Sequence, residues 1–501
     1  MTASIEMPRE NDAADWPQSV RWILGLMVPV LLILILLDRR AEPWTERAEW
    51  LVVGLAAAFD WSDARRRAAC FAGVFAAPVL IGVVAAAISG KLALALGPMF
   101  RYQTLVLWAA VCWLYSWWLV PCDNRGRIVA VVGMPLILLC GWAIVSGFVS
   151  TDRKNSFKLL GSELLPYAAV FLLLPRLLTE KLAGVAAQSC WAIVSLLAIA
   201  APVLLFAHAY GGAPAEWMHR AEFFRIDEDA RDTLRFQYIF QHHNRAGFFF
   251  ACALFVCLTG AYNAPLWKRV AAYTGAVGCL IALPVTTTRG ALAAAWVGLA
   301  IVALGQLLSR NALRVVVSLV LMVPLLWLVT PPKYFAHLNR IFSSQQYRTP
   351  EGGSINARFV IWDTTLRMIA KRPVLGFGYG FENFEETARK DHPLQIEYFR
   401  GAVHAHNQWL ETAAETGIPG ALLLLAFTAG RVGLLSWSWW NARRSGQAAL
   451  AGVLLVWIAL EVTIQFYSLT NYALRRGLGL FVYAIWSGSV WWSQQKIKAE
   501  G

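Results

Sequence analysis

Charge is scarce in this sequence. Asp, Glu, Lys and Arg make up only 15% of its 501 residues, while 58% are hydrophobic and 24 are Trp. A soluble chain with so few charges would lack a surface to present to water, so the composition implies lipid as its solvent. Cysteine is also sparse. The eight lie in or beside apolar runs and none falls in a long polar connection, so they read as small buried hydrophobes, not a disulfide framework or a zinc site. They carry no signal about redox compartment. There is no glycine-rich loop of the P-loop type, which removes the usual cradle for a nucleotide phosphate. Internal repeats are absent too. The formal charge of +13 comes from basic residues scattered in twos and threes, not massed on one face. That pattern argues against nucleic acid and favours anionic lipid headgroups as the partner.

What the sequence has instead is a series of apolar runs. A bilayer core about 30 Å thick needs about 20 apolar residues per helix. Such runs fall near 22–37, 68–89, 103–120, 128–149, 159–175, 184–207, 246–263, 270–285, 291–308, 314–330, 418–438, 449–466 and 477–492. A run at 50–59 is too short to span unaided. The expected fold is therefore all-α, a polytopic membrane bundle of about 12–14 helices, each satisfying its own backbone hydrogen bonds. The polar stretch before Arg21 is acidic, and no small-residue cleavage site follows the first run, so that run is expected to be retained. Basic residues do not fix the orientation: Arg65, Arg66 and Arg67 on one side balance Arg153, Lys154 and Lys158 on the other.

Only two connections are long, 208–245 and 331–416. They divide the chain into N-terminal helices (1–207), a first loop (208–245), central helices (246–330), a large loop (331–416) and C-terminal helices (417–501). Four spans separate the two loops, so both open on one face, shared by the short connection TTTRG at 286–290. In the first loop, Arg220, Arg225, Arg231 and Arg235 alternate with Asp227, Asp229 and Asp232, as on a solvated, charge-mixed surface. It ends in HHNRAG, with His242, His243, Asn244 and Arg245 at a helix start, where an anion is favoured. The large loop has the pattern of folded structure. ARFVIWDTTLRMIAKRP places Phe359, Trp362, Leu366 and Ile369 on one helical stripe and stops at Pro373. VLGFGYG follows, with glycines at 376, 378 and 380 that allow tight turns. ENFEETARKDHP suits a short helix, and Asn407 is placed to cap the helix that starts after HAHN. A helical cap over the bundle is expected.

His406 and Asn407, nine residues, Gly417, two residues and Gly420 form the most specific pattern in the chain. Supporting it are TTTRGA around Arg289, NAR...W with Arg358 and Trp362, and RPVLGFGYGFENF. From about Thr288 to Gly420 the sequence resembles the O-antigen ligase and polymerase family of membrane glycosyltransferases. The resemblance implies a fold related to the lipid-dependent, GT-C-type glycosyltransferases and a multi-pass place in a Gram-negative inner membrane. The active face would be periplasmic and, with an even span count, both termini cytoplasmic. It further implies transfer of a glycan from undecaprenyl diphosphate to a hydroxyl of lipid A-core, without a cofactor. Polymerase and protein O-oligosaccharyltransferase differ in the acceptor and stay open. A transporter of lipid-linked glycans is the competing class, but it places ionisable groups or broken helices at mid-membrane. Here the distinctive charge is expected in loops on one face.

Displacement at an anomeric carbon needs a base for the acceptor proton and cations for the leaving diphosphate. His406, just before a helix start whose dipole disfavours imidazolium, suits the base; His404 is the alternative. Either also reads as a capping or packing residue. An HxH pair can bind metal, but His392 is the only nearby third ligand, so no metal site is expected. Arginine's planar fork suits a diphosphate, and Arg289 and Arg358 match the family's basic positions. As alternatives, Arg289 reads as an interfacial anchor and Arg358 as the solvated side of its helix. Arg245, Arg400, Asn407 and Trp362 complete the candidate substrate contacts.

Overall fold

A computed structural model describes residues 124–165, 167–168, 171–172, 180–210, 225–229, 233–238, 240, 242–262, 264–307, 354–391, 404–474 and 476–494. The expected runs at 22–37, 50–59, 68–89, 103–120 and 314–330 lie outside these residues, as do Arg400 and His392. The described part is an all-α, polytopic membrane protein with one small β-hairpin. Its helices are α1 (Asn124–Phe148), α2 (Arg153–Leu159, continued by a π turn over Leu160–Leu164), α3 (Glu180–Tyr210), α4 (His243–Thr259), α5 (Leu266–Val285), α6 (Arg289–Leu307), α7 (Ser354–Lys371), α8 (Phe381–Asp391), α9 (Gln408–Arg444), α10 (Ala448–Ser468) and α11 (Arg476–Gln494). Among the described residues six helices are long and apolar enough to cross a membrane: α1, α3, α5, α6, α9 and α10.

Helix α4 is apolar but shorter, and it lies at the centre, against α3, α5, α6 and α10. Every side chain from Phe248 to Phe255 is buried. In lipid, burying apolar surface gives little drive for helix association, so small residues and interhelical hydrogen bonds hold such a bundle. Ala291, Ala294 and Ala295 on α6 are buried, and Thr463 Oγ1 on α10 donates to the Ala294 carbonyl at 3.2 Å.

The first long connection contains antiparallel strands β1 (Arg225–Asp229) and β2 (Thr233–Tyr238), with Asp227 opposite Arg235. By its charges alone this stretch looks like solvated surface. Beneath them, Phe236, Tyr238 and Phe240 alternate with period two and are buried, their rings against Phe249 and Phe250 of α4.

The large loop forms a helical cap. Its small core joins Ile361 and Met368 of α7, Phe384 and Ala388 of α8, Phe377, Ala405 and Ala414. The buried stripe of α7 differs from the expected one: Phe359 is 60% and Leu366 55% exposed, and Ile361, Thr364, Thr365 and Met368 face inward. Threonine was overlooked as a core residue. Thr365 Oγ1 donates to its own helix at the Ile361 carbonyl, 2.6 Å away, so its methyl packs as an apolar group.

Helix α9 breaks where it leaves the cap. Gly417 has φ 76°, ψ 174°, and Pro419 has no N–H to give the Glu415 carbonyl. Groups from elsewhere replace the lost ladder. Gly378 N donates to Glu415 O at 2.9 Å, Ser146 Oγ of α1 to the same oxygen at 2.9 Å, Phe377 N to Ala414 O at 3.0 Å and Trp142 Nε1 to Thr416 O at 2.7 Å. The FGYG segment thus threads across the break. Backbones approach so closely that a Cβ at Gly417 would strike the Val374 carbonyl and one at Gly376 the Glu415 carbonyl. That close approach is why glycines stand at 376 and 417.

Below the break, Arg431 of α9 and Glu461 of α10 form an ion pair at 2.7 Å, 0% and 2% exposed. Gln465 Nε2 donates to the other Glu461 oxygen at 2.8 Å. The guanidinium lies 3.7 Å from the Trp486 ring centroid and 4.4 Å from that of Phe427. The expectation that charge is confined to the loops is therefore corrected: a charged pair and a broken helix both lie within candidate spans. Residues 30 positions apart in an apolar sequence give no local sign of pairing, because the contact exists only once α9 and α10 pack.

Candidate active site

Four polar segments converge at the cap side of the bundle. His404, Ala405, His406 and Asn407 run into α9. Asn407 Oδ1 accepts from Trp409 N at 3.0 Å and Leu410 N at 3.1 Å, making it the N-cap that its position predicts. This buried oxygen is engaged by its own helix, so any substrate contact would fall to its amide nitrogen. Trp362 of α7 is half-buried and donates from Nε1 to the Ala405 carbonyl at 2.9 Å, tying the cap to the histidine loop. Trp362 is thus placed to hold that loop.

His406 occupies the left-handed region at φ 48°, a conformation that favours glycine and is held here by its neighbours. Its N–H donates to His404 Nδ1 at 3.3 Å, and the two rings lie 3.8 Å apart. His404 in turn meets the Tyr472 ring edge to face at 4.5 Å. His404 therefore acts as a buttress beneath the backbone of His406.

Burial drives the His406 pKa down to about 4, helped by the positive charge of Arg358 and a smaller effect of His242, and opposed by a hydrogen bond with Asn471. The ring is neutral near pH 7 and able to accept a proton. The helix dipole, the one cause legible in the sequence, is joined here by desolvation and a neighbouring cation, which only the folded chain brings near.

Arg358 sits on the first turns of α7, half-buried, with its own pKa lowered by burial and by the neighbouring Arg289. Arg289 begins α6, where Thr288 Oγ1 donates to the His243 carbonyl at 3.0 Å. That bond joins TTTRG to the HHNR segment ahead of α4. Arg245 is half-buried in the first turn of α4 and, like Arg358, lies within electrostatic reach of the Tyr467 phenol. Ion pairs among the described residues include Arg367 with Asp363, Arg389 with Glu385, and Arg431 with Glu461. Arg358 joins none of them.

The fourth segment, Tyr467–Ala473 at the end of α10, was missed in the sequence. Tyr467 Oη donates to the Asn244 carbonyl at 3.0 Å and its ring stacks on Phe248 at 4.5 Å. Asn471 Oδ1 lies 3.4 Å from His406 Nδ1. Gln408 Oε1 accepts from Leu474 N at 3.3 Å. A cue existed in the polar run SLTNY immediately after an apolar helix, on the face already assigned to the other polar loops.

A basic, half-buried cluster with a neutral histidine is suited to bind an anion and remove a proton beside it. Residues 274–425 match the O-antigen ligase family model. Over that stretch the sequence is similar to the family, and the match covers less than a third of the chain. It runs from within α5 through Arg289, Arg358, Trp362 and the two histidines to just beyond the break in α9. Asn471 and Arg245 lie outside it. No curated protein matches the chain.

Proposed function

We propose that this protein is a member of the O-antigen ligase family and transfers a glycan from undecaprenyl diphosphate to a hydroxyl of lipid A-core, on the periplasmic face of the inner membrane. The observation that carries the proposal is Arg358: a half-buried guanidinium with no carboxylate partner among the described residues, beside Arg289 and a neutral His406. A buried cation without a counter-ion is costly, and a diphosphate supplies the missing charge.

In the proposed step the acceptor hydroxyl oxygen forms a bond to the anomeric carbon as the bond from that carbon to the diphosphate oxygen breaks. The leaving diphosphate keeps the bonding electron pair and is held by Arg358 and Arg289, with Arg245 next in reach. The hydroxyl proton passes to His406, and because the acceptor oxygen attacks opposite the leaving diphosphate, the anomeric configuration inverts. No metal enters this scheme, since the guanidiniums carry the positive charge. A pKa near 4 is low for a base at neutral pH. Donor binding corrects it: the diphosphate offsets the charge of Arg358, the second cause of the depression, and so raises the basicity of His406 when substrate is present.

His406→Ala in proteoliposomes supplied with lipid-linked glycan and lipid A-core should fold, bind donor and make no ligated product. Normal transfer by that variant would overturn the base role. Supplying core lipid, a second lipid-linked repeat and an acceptor peptide in parallel distinguishes ligase from polymerase and protein O-oligosaccharyltransferase.

A transporter is the second reading, favoured by Arg431, Glu461 and the break in α9. Both features are closed, however. The pair is enclosed by Gln465, Phe427 and Trp486, and the carbonyls at the break are satisfied by FGYG and α1. Movement of lipid-linked glycan without a glycosidic product would restore this class.

A further inference from the structure

Asn471 lies on the turn after α10, its N–H donating to the Tyr467 carbonyl at 2.9 Å, and only 5% of it is exposed. Its Oδ1 is 3.4 Å from His406 Nδ1, whereas its Nδ2 is buried without a hydrogen-bond partner among the described residues. An amide can present either end to an imidazole, and the two ends have opposite consequences. With Oδ1 facing the ring, Nδ1 carries the hydrogen and Nε2 has a free lone pair. With Nδ2 facing it, Nδ1 becomes the acceptor and Nε2 is already protonated, so the ring cannot serve as a base through that atom.

We propose that Asn471 is a positioning residue for the transfer reaction: its carbonyl oxygen holds His406 as the Nδ1–H tautomer and aims Nε2 at the acceptor hydroxyl. The inference rests on the base role of His406. As Nε2 takes the proton, both ring nitrogens bear hydrogen and the Nδ1–H···Oδ1 bond strengthens against the new positive charge; the amide itself gains no proton. The sequence hides this contact, because Asn471 is 65 positions from His406 and beyond the family match.

The other groups that face this ring are cationic or neutral: Arg358 from α7 with Arg289 beside it, His242 ahead of α4, and His404 of its own loop, packed on Tyr472. None of these supplies an acceptor recorded at His406 Nδ1. Asn471 is the contact that favours the protonated ring while Arg358 and His242 oppose it.

Three measurements test the assignment. Asn471→Leu keeps the volume and removes the acceptor; kcat should fall by about 10- to 100-fold, as for other partners that orient a reacting side chain, while KM for donor changes by less than about 3-fold. Asn471→Asp places a carboxylate opposite Nδ1–H; the acid limb of its pH–rate profile should move up by at least about one pH unit. A merely structural residue would produce neither the kcat-only loss nor the shifted limb. Solid-state ¹⁵N spectra of histidine-labelled wild-type protein, assigned with His406→Ala, give the tautomer without any change at Asn471. A protonated Nδ1 and bare Nε2 are expected. The opposite tautomer, wild-type kcat in Asn471→Leu, or superimposed profiles for Asn471→Asp and wild type would each overturn the assignment. If His406→Ala itself retains activity the base role fails; if it is inactive and the Asn471 results are negative, only the positioning role fails.

Discussion

Two arginines, one on α9 and one in the cap, have opposite surroundings. Arg431, inside the bundle, is completely buried, and Glu461 neutralises it at 2.7 Å while aromatic rings cover its faces. Arg358, on α7 in the cap and near His406, is half-buried beside another arginine and has no carboxylate partner among the described residues. A charge removed from water needs compensation. Arg431 has it permanently and therefore works as a fastening between α9 and α10. Arg358 has no such partner among the described residues, and under the proposed function an anionic ligand supplies the compensation. The difference in compensation, more than in burial, is what marks Arg431 as a fastening and Arg358 as the cation proposed to meet substrate.

The largest expected effect strikes the functional arginine. Arg358→Ala should lower transfer by about 100- to 1000-fold, the scale on which loss of an electrostatic stabiliser acts, with an unchanged melting temperature in detergent. Arg358→Lys should recover only part, because an ammonium lacks the planar fork.

The structural arginine should respond the other way. Glu461→Gln or Arg431→Met alone should destabilise by about 3–5 kcal/mol by stranding its partner, measured as a lowered thermal midpoint. The double change Arg431→Met with Glu461→Leu should restore stability, and transfer should survive in the folded double variant. Loss of transfer there would blur the contrast.

Gly417→Ala falls between these. It forces a side chain into the left-handed region and against the Val374 carbonyl, at a cost of about 1–3 kcal/mol. Because FGYG packs there, activity should fall along with stability, and limited proteolysis should reach the cap first.

A smaller effect concerns pH. With the His406 pKa depressed to about 4, the ring is unprotonated throughout the neutral range, so kcat/KM in the free enzyme should vary less than about twofold between pH 5.5 and 7.5 and fall only as pH approaches 4. An acid limb near 6.5 would mean that Arg358 and burial do not act on this ring. The smallest effect belongs to Phe359→Ser and Leu366→Ser on the exposed side of α7, which should alter stability by less than about 0.5 kcal/mol.

Much of the bundle was legible because membrane helices advertise themselves: the runs near 128–149, 270–285 and 449–466 correspond to α1, α5 and α10. The hairpin was less visible, since β1 is dominated by charge and its signal lies in the alternation of Phe236, Tyr238 and Phe240. On α7 the apolar stripe was misjudged, because Phe359 is large but exposed whereas Thr364 and Thr365 are polar but buried. Within the candidate site, the spacing from His406 to Gly420 pointed to a segment that the fold brings near Arg358, and the close approach of the Val374 carbonyl shows why position 417 is a glycine. What the sequence could not reveal were contacts between distant segments: Asn471 on His406, Tyr467 on Asn244, and Glu461 on Arg431. No periodicity encodes these, because they depend on how completed helices pack.

The most direct test is binding of a polyprenyl diphosphate to purified wild type, Arg358→Ala and the double variant Arg431→Met with Glu461→Leu, in the same detergent. Arg358→Ala is expected to lose at least about tenfold in affinity, a difference of about 1.4 kcal/mol, and the double variant to bind as wild type does. Equal binding by wild type and Arg358→Ala would contradict the assignment of Arg358 to the diphosphate.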